Sequence, residues 1–197
     1  MSNQPTEPQD YYGYQPRLHL TKPVVIFGPP GTQVGRTTRA MHLLSGLPLV
    51  WVDRVLEHQV GMHVERLEAE QGVAARLEAE KTLLTKELRP GKPKLYAVSH
   101  HTLNDPGLRA LLKDAQKVRL RAAVPTLLEQ IERDVSADPA KHWAIRSENG
   151  LDNETLKQSL KRLDAQLPSG HHEVLCGGRA PMDVAGDILK LLGLPTP

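Results

Sequence analysis

A glycine-rich turn near the start of the chain has the residue types best suited to chemistry. It reads GPPGTQVGRTT at residues 28–38, here named the Gly28 turn, and follows the apolar run PVVIF at residues 23–27. Between a buried strand and a helix, such a turn binds phosphate through backbone N–H groups, and a lysine and a hydroxyl after it reach the phosphate and Mg²⁺. The sequence therefore predicts a phosphate-binding turn, for which the consensus is G-x-x-x-x-G-K-[ST].

The Gly28 turn fits this consensus in two ways. Without a gap, Gln33, Val34 and Gly35 take the positions of the second glycine, the lysine and the hydroxyl. With two inserted residues, Gly35, Arg36 and Thr37 supply a glycine, a cation and a hydroxyl instead. Across the two alignments, the candidate cofactor-binding residues are Gly28, Gly31, Gly35, Arg36 and Thr37.

The spacing after the turn favours the ungapped alignment, because the distance from Gly31 to the helix break at residues 46–48 needs no insertion. On that alignment Arg36 lies two residues beyond the lysine position, which is about 200° round the helix and about 3 Å along it. We therefore expect its side chain to point away from the phosphate cradle. A planar guanidinium also differs from the compact ammonium of lysine as a phosphate ligand.

The segments around the turn alternate between short aliphatic runs and helical patterns. Strands are predicted at residues 23–27, 49–52, 95–98, 118–121 and 173–176. Helices are predicted at residues 36–45, 53–88 (interrupted at Gly61 and Gly72), 106–115, 125–134, 153–167 and 182–192. This order predicts a three-layer α/β fold, in which helices cover both faces of a parallel five-stranded sheet.

Length and composition are those of a single domain. Of 197 residues, 39% are hydrophobic and 4% aromatic, so an aliphatic core is expected. Residues 1–20 are polar, include Tyr11, Tyr12 and Tyr14, and are expected to form a flexible tail before a domain at residues 21–197. Residues 135–151 show little apolar periodicity and are interpreted as a mobile lid, or else as an ordinary surface loop.

Charge and cysteine content argue against several classes of protein. The formal net charge is +2, without a dense cationic run, which argues against a nucleic-acid partner. No apolar stretch approaches the ~20 residues that a transmembrane helix needs.

The single Cys176 cannot form an intramolecular disulfide, and no secretory signal is found, so a cytoplasmic protein is expected. Cys176 itself is expected to be a small buried hydrophobic residue.

Three further segments resemble the shikimate kinases, small P-loop kinases that transfer the γ-phosphoryl group of ATP to a hydroxyl of shikimate. Residues 46–72 (GLPLVWVDRVLEHQVGMHVERLEAEQG) are similar to the family's GLPFxDxD strand end, acidic helix and GMSIxEIF segment. Residues 103–112 (LNDPGLRALL) and 121–134 (RAAVPTLLEQIERD) resemble its LxxxxNRxLL and xxASPExLLERIxxD patterns. The resemblance covers nearly all of residues 23–192 and implies a P-loop αβα fold.

The resemblance also implies roles for individual positions, and most of the family's active residues are replaced. The Asp that helps to hold Mg²⁺ corresponds to Trp51, whose indole cannot ligate a metal, whereas Asp53 matches the Asp that holds substrate hydroxyls. The substrate-binding Arg falls at Ala75, one position before Arg76. The family's glycine run becomes VSHHT at residues 98–102, where imidazoles would fill substrate space.

The remaining substrate contacts are placed by the same resemblance. The lid arginine corresponds to Arg133 or Arg146, and the last substrate arginine to Arg162, although the family's RxPxY pattern is missing around it. The substrate-binding candidates are Asp53, Arg76, His100 and Arg162, with Asp53 also catalytic if the protein is active.

Two other groups of side chains have simpler interpretations. His100 and His101 are not expected to bind metal, because adjacent residues of an extended chain point to opposite faces. Arg119 and Arg121 lie in a predicted central strand and need an anionic partner there. That partner is either an internal acidic side chain or an anion in the cleft.

Two functions are consistent with the whole pattern. The leading hypothesis is a shikimate-kinase-like pseudokinase, catalytically impaired, that acts as a ligand-binding or protein-interaction module, with its tail or a helical surface as the partner site. Each missing electrostatic group at such a site typically costs about 3 kcal/mol of transition-state stabilisation. The alternative is an active kinase that uses Gly35, Arg36 and Thr37 to bind ATP and Mg²⁺ and phosphorylates shikimate or another small alcohol. ATP and Mg²⁺ are cofactors only on that alternative.

Overall fold

The computed structural model describes residues 20–88, 93–139, 141–142, 153–170 and 172–194. Its strands are β1 (Val24–Phe27), β2 (Leu49–Trp51), β3 (Leu95–Ala97), β4 (Gln116–Arg121) and β5 (His172–Leu175). The helices described are α1 (Val34–Ser45), α2 (Val52–Val60), α3 (Val64–Glu87), α4 (Pro106–Leu111), α5 (Val124–Ala137), α6 (Asn153–Gln166) and α7 (Pro181–Leu191). The predicted alternation of strands and helices is confirmed.

Two glycines divide the long helical region, as the sequence predicts. Gly61 ends α2 with a left-handed φ of 75°, and its N–H donates to the carbonyl of Glu57. Gly72 has φ 84° and ψ 162° inside α3 and kinks that helix. Both conformations are ones that glycine adopts without steric cost.

The five strands form one parallel sheet in the order β2-β3-β1-β4-β5. From the central β1 the chain goes first to β2 and β3 on one side and then crosses to β4 and β5 on the other side. Ligands of such α/β folds bind at the carboxyl ends of the strands where connections leave toward opposite sides of the sheet. The Gly28 turn leaves β1 at that edge, next to the segments that leave β2 and β3.

The core lies on both faces of the sheet and is mainly aliphatic, as expected. All four residues of β1 are fully buried, and they alternate between the two faces. Val25 and Phe27 pack in a cluster with Leu84 of α3 and Leu108 of α4, whereas Val24 and Ile26 pack with α1 and α7. This burial fixes the strand from which the Gly28 turn starts.

A third cluster holds α5 against α6 and sets the position of α5 beside the turn. It consists of Leu127, Leu128, Ile131, Leu156 and Leu160. The backbone of α5 comes close to Gly31, since a Cβ there would lie 2.7 Å from the Leu127 carbonyl oxygen. The Gly28 turn is therefore confined between β1 and α5.

Two predicted segments fall largely outside the described residues. The predicted tail lies there except for Leu20, which is buried. In the predicted lid, residues 135–137 belong to α5, and most of the rest, including Arg146, is not described. Among the described residues, no helix is both long and apolar enough to cross a membrane.

Candidate functional site

The start of α1 decides how the Gly28 turn aligns with the phosphate-binding consensus. The helix begins at Val34, and Gln33 precedes it with a left-handed φ of 55° and ψ of 38°. A left-handed residue directly before the helix is where the consensus places its second glycine. This geometry is the one expected on the ungapped alignment, on which Val34 would take the lysine position and Gly35 the hydroxyl position.

Trp51, at the end of β2, packs against Gly35. A Cβ atom added to Gly35 would lie 2.0 Å from Cζ2 and 2.1 Å from Cε2 of the indole, so the contact accepts glycine alone unless the indole moves. These two positions correspond to the hydroxyl and the carboxylate that hold Mg²⁺ in the resemblance described above. An indole and a glycine offer no oxygen ligand, so the residues present do not fit a Mg²⁺ ion at this place.

Side-chain hydrogen bonds close the Gly28 turn. The Thr32 hydroxyl is buried and donates to the Pro29 carbonyl at 2.7 Å. The Gln33 amide Nε2 donates to Oε1 of Gln130 on α5 at 2.7 Å, and Gln130 Nε2 donates to Oδ1 of Asp134 at 3.0 Å. The turn is thus tied to α5 through its own side chains.

Arg36 leaves the turn toward α5, as expected from its position on the helix. Its side chain is 56% exposed, with Nη2 at 3.8 Å from Asp134 Oδ1. Its Nη1 donates weakly to Gln33 Oε1 at 3.4 Å. Burial alone would raise the pKa of Asp134, but hydrogen bonds from His142 and Gln130 and the charges of His142 and Arg36 lower it. Thr37 is buried in α1.

The cleft beside the turn is a cavity of about 230 Å³ at the carboxyl ends of β1, β2 and β3. Its lining includes the side chains of Trp51, Asp53, Glu68, Arg76, His100 and His101. The structure thus brings three of the four substrate-binding candidates to one place. Arg162, the fourth, is exposed on α6 and is not part of the described lining, to which its neighbour Leu163 belongs.

Arg76 is paired with three carboxylates, and we name Asp53, Glu68, Arg76 and Glu80 the Arg76 cluster. The guanidinium donates from Nη2 to Asp53 Oδ1 at 2.6 Å, from Nε to Glu80 Oε1 at 2.9 Å, and from Nη1 to Glu68. Burial would lower the pKa of Arg76, but the carboxylates of Asp53, Glu80 and Glu68 raise it. The positive charge of Arg76 is therefore neutralised by carboxylates of the protein itself.

The Arg76 cluster as a whole was not predicted from the sequence. The (i, i+4) spacing of Arg76 and Glu80 on one helix is a signal for an ion pair. Glu68 lies on the other side of the Gly72 kink, and Asp53 is 23 residues away, so their convergence depends on how α2 and α3 pack. Burial raises the pKa of Glu80, and Arg76 and Thr102 oppose that effect.

The expectation that His100 and His101 point to opposite faces is wrong. Their ring centroids are 3.8 Å apart and both side chains line the cleft, because the chain turns after β3 instead of staying extended. Burial, followed by the nearby His101, Arg76 and His142, holds the pKa of His100 well below its ordinary value. His100 is thus a neutral imidazole in the cleft.

Arg119 and Arg121 of β4 pair with acidic side chains, which is the internal alternative. Arg119 Nη2 donates to Asp164 Oδ1 at 2.6 Å, and Arg121 Nη1 donates to Glu173 Oε2 at 3.0 Å.

Arg133 is 69% exposed and lies 3.4 Å from Glu129. Cys176 is partly buried, which raises the pKa of its thiol to about 11.

The charge of the cleft is negative. Its lining includes the carboxylates of Asp53, Glu65, Glu68 and Asp134 but one arginine, Arg76, which is already paired with two of them. Burial raises the pKa of Glu65, which the charge of Asp53 also raises. An anion bound in the cleft would therefore be repelled by these carboxylates. Among the described lining residues, no arginine or lysine is left without an acidic partner to offset that repulsion.

Comparison with protein-family models and with curated protein sequences finds no match. Among solved structures, shikimate kinase from Acinetobacter baumannii in complex with shikimate superposes with a TM-score of 0.69 at 20% identity, covering 87% of this chain and 93% of that chain. Shikimate kinase from Bacteroides thetaiotaomicron gives 0.69 at 13% identity, covering 88% and 99%. A gluconokinase from Sinorhizobium meliloti gives 0.55 at 13% identity, covering 89% and 94%. The chain therefore has the fold of shikimate kinases and related P-loop small-molecule kinases.

Proposed function

We propose that this chain is a pseudokinase of the shikimate kinase fold, which binds a small ligand in its cleft and transfers no phosphoryl group. The observation that carries the proposal is the contact of Trp51 with Gly35. Phosphoryl transfer depends on cations that neutralise the developing charge on the phosphates. At the three positions where such a fold would use a lysine and two metal ligands, this chain has Val34, Gly35 and Trp51.

The rest of the Gly28 turn supports the same proposal. Gln33 is bonded to Gln130, and Arg36 lies toward Asp134, so neither side chain reaches into the cradle. For Arg36 to act as a phosphate ligand, as the alternative of an active kinase requires, its guanidinium would have to leave Asp134 and Gln33. These contacts of Arg36 therefore support the pseudokinase over the alternative.

The charge of the cleft indicates the class of ligand. Arg76 is held by carboxylates, and His100 is kept neutral by burial. An anionic ligand would be repelled, whereas hydroxyls or an amino group could bond to the carboxylates and imidazoles. We therefore propose an uncharged or cationic polar molecule as the ligand.

The proposal is tested by adding back the missing groups. In calorimetry and thermal-shift assays, the full-length chain should show no response to ATP and Mg²⁺, and no turnover with shikimate in a coupled assay. A variant with Gln33→Gly, Val34→Lys, Gly35→Ser and Trp51→Asp should gain nucleotide-dependent stabilisation.

Leu43→Lys is the matched control, because it adds one lysine to the exposed side of the same helix, where Leu43 is 63% exposed. It should leave the protein without a nucleotide response. Phosphoryl transfer by the unmodified chain, or an ATP-dependent shift that Arg36→Ala abolishes, would overturn the proposal in favour of the active kinase.

A further inference from the structure

The turn between α2 and α3 brings one imidazole and two carboxylates together outside the Arg76 cluster. Glu57 lies in the last turns of α2, His63 directly precedes α3, and Glu65 lies in the first turn of α3. The left-handed Gly61 ends α2 and lets the chain reverse between them. One ligand atom from each of the three side chains lies within 4.8 Å of the others, in the one such group found among the described residues.

This donor set matches the ligands of divalent transition metals. Imidazole nitrogen and carboxylate oxygen bind Zn²⁺ at about 2.0–2.2 Å, which places ligand atoms about 3.4 Å apart in a tetrahedral site. His63 Nδ1 is already 3.1 Å from Glu57 Oε1. The ligand atom of Glu65 lies within 4.8 Å of those of Glu57 and His63, and rotation of its side chain can bring it closer.

The second carboxylate oxygen of Glu57 has a different partner, which leaves the first one for the site. Arg54 Nη1 donates to Glu57 Oε2 at 3.0 Å, and its guanidinium carbon lies 5.4 Å from the centroid of the Trp51 ring. Arg54 therefore orients the carboxylate in the way that a second ligand shell orients a metal ligand.

Two of the three side chains, Glu57 and Glu65, face an open cavity. The cavity has a volume of about 790 Å³, and Trp51 and Asp53 also line it. The lining also contains the cations Arg36, Arg39, Arg54 and Lys141, so its charges are mixed. A metal ion held by Glu57 and Glu65 could keep coordination positions open toward that cavity.

We propose that Glu57, His63 and Glu65 form a site for a divalent transition metal of the Zn²⁺ class at the mouth of the cleft. The site uses positions distinct from Gly35 and Trp51, where the residues do not fit Mg²⁺. A metal at this place could bind an oxygen or nitrogen of a molecule in the adjoining cavity.

The test is calorimetric titration of the untagged, chelator-treated full-length chain with Zn²⁺, together with the visible absorption of bound Co²⁺. One metal ion per chain is expected, with a Co²⁺ spectrum of low coordination number. His63→Ala should weaken Zn²⁺ binding at least tenfold, because it removes the nitrogen ligand. His58→Ala is the matched control, since His58 is an exposed histidine of α2 just five residues before His63, and it should bind as the unmodified chain does.

Two results would overturn the proposal. One is the absence of stoichiometric Zn²⁺ binding by the unmodified chain, which would leave His63 and Glu57 as an ordinary surface ion pair. The other is equal binding by the His63→Ala variant, which would move the metal to another part of the chain. Circular dichroism of each variant checks that the fold is kept.

Discussion

The Gly28 turn and the Arg76 cluster border the same cleft, but they dispose of charge in opposite ways. In the turn, uncharged side chains stand where a phosphate-binding loop has a cation and metal ligands, and Trp51 fills the space against Gly35. In the Arg76 cluster, the charges are present but are paired with one another in the interior. Charge is absent from those positions of the turn because of their residue types, whereas the charges of the Arg76 cluster are neutralised by their partners.

Because of this difference, the two regions should be destabilised by different kinds of substitution. A contact between an indole and a glycine depends on shape, so adding atoms should disturb it most. In a buried ion cluster each charge is compensated by the opposite charges of its partners, so removing one member leaves the remaining charges uncompensated. Substitutions that add volume and substitutions that remove charge should therefore separate the two regions.

The largest effect is expected from Arg76→Met, which removes the one cation of the Arg76 cluster and keeps most of the side-chain volume. Asp53, Glu68 and Glu80 would then be left beside one another in a buried place. We expect the free energy of unfolding to fall by about 3–5 kcal/mol, as is usual when one partner of a buried pair is removed. Urea denaturation followed by circular dichroism measures it.

Arg66→Met is the control for this prediction. Arg66 lies on the same helix, is 69% exposed, and pairs with Glu70 at 2.6 Å. Its loss should leave the unfolding midpoint within experimental error, because exposed pairs contribute little. Equal midpoints for the Arg66 and Arg76 variants would break the comparison, since the Arg76 cluster would then behave as a surface pair.

A smaller effect is expected when volume is added to the Gly28 turn by Gly35→Ser. The new side chain meets the Trp51 indole at 2.0 Å, and overpacking of this kind costs about 1–3 kcal/mol. Trp51→Ala should relieve the clash, so the double variant should lose less stability than the sum of the two single variants. A double-mutant cycle in urea measures the coupling.

Gly186→Ser is the control for the cycle. Gly186 lies in α7, and a Cβ there meets nothing within 4 Å, so serine should be tolerated or should stabilise the helix slightly. Additive effects of Gly35→Ser and Trp51→Ala would contradict the packing of the two residues against each other.

The smallest effect concerns Asp134, which links the turn to α5 through Gln130 and also lines the cleft. Its pKa lies below the ordinary value of 3.8, so the charged form stabilises the fold above that value and the stabilisation is lost as pH falls through the lower folded pKa. Asp134→Asn should cost under about 1 kcal/mol at neutral pH, since the group is partly exposed.

The check on Asp134 is a series of urea denaturations between pH 2 and pH 7. The difference in stability between the unmodified chain and Asp134→Asn should shrink as the pH falls below about 4 toward pH 2. A difference that does not change with pH would show that His142 and Gln130 bond to Asp134 without stabilising its charge.

Much of the fold could be predicted from the sequence, because strands, turns and helices leave local patterns. The aliphatic runs, the glycine-rich turn and the breaks at Gly61 and Gly72 are each readable within a few residues. The candidate site was less predictable. The pairing of His100 with His101 in the cleft was missed because it depends on a chain reversal after β3, and not on the alternation of a strand.

The sequence by itself determined which groups are present: a strand, turn and helix around the Gly28 turn, with Val34 and Gly35 after Gln33, and Trp51 at the end of the second aliphatic run. Only the tertiary structure decided what the remaining charges do. Arg76 meets Asp53 across 23 residues, and Gln33 meets Gln130 across 97 residues, because helix packing sets these contacts. Residue type is a local property, whereas the partner of a charge depends on which segments the fold brings together.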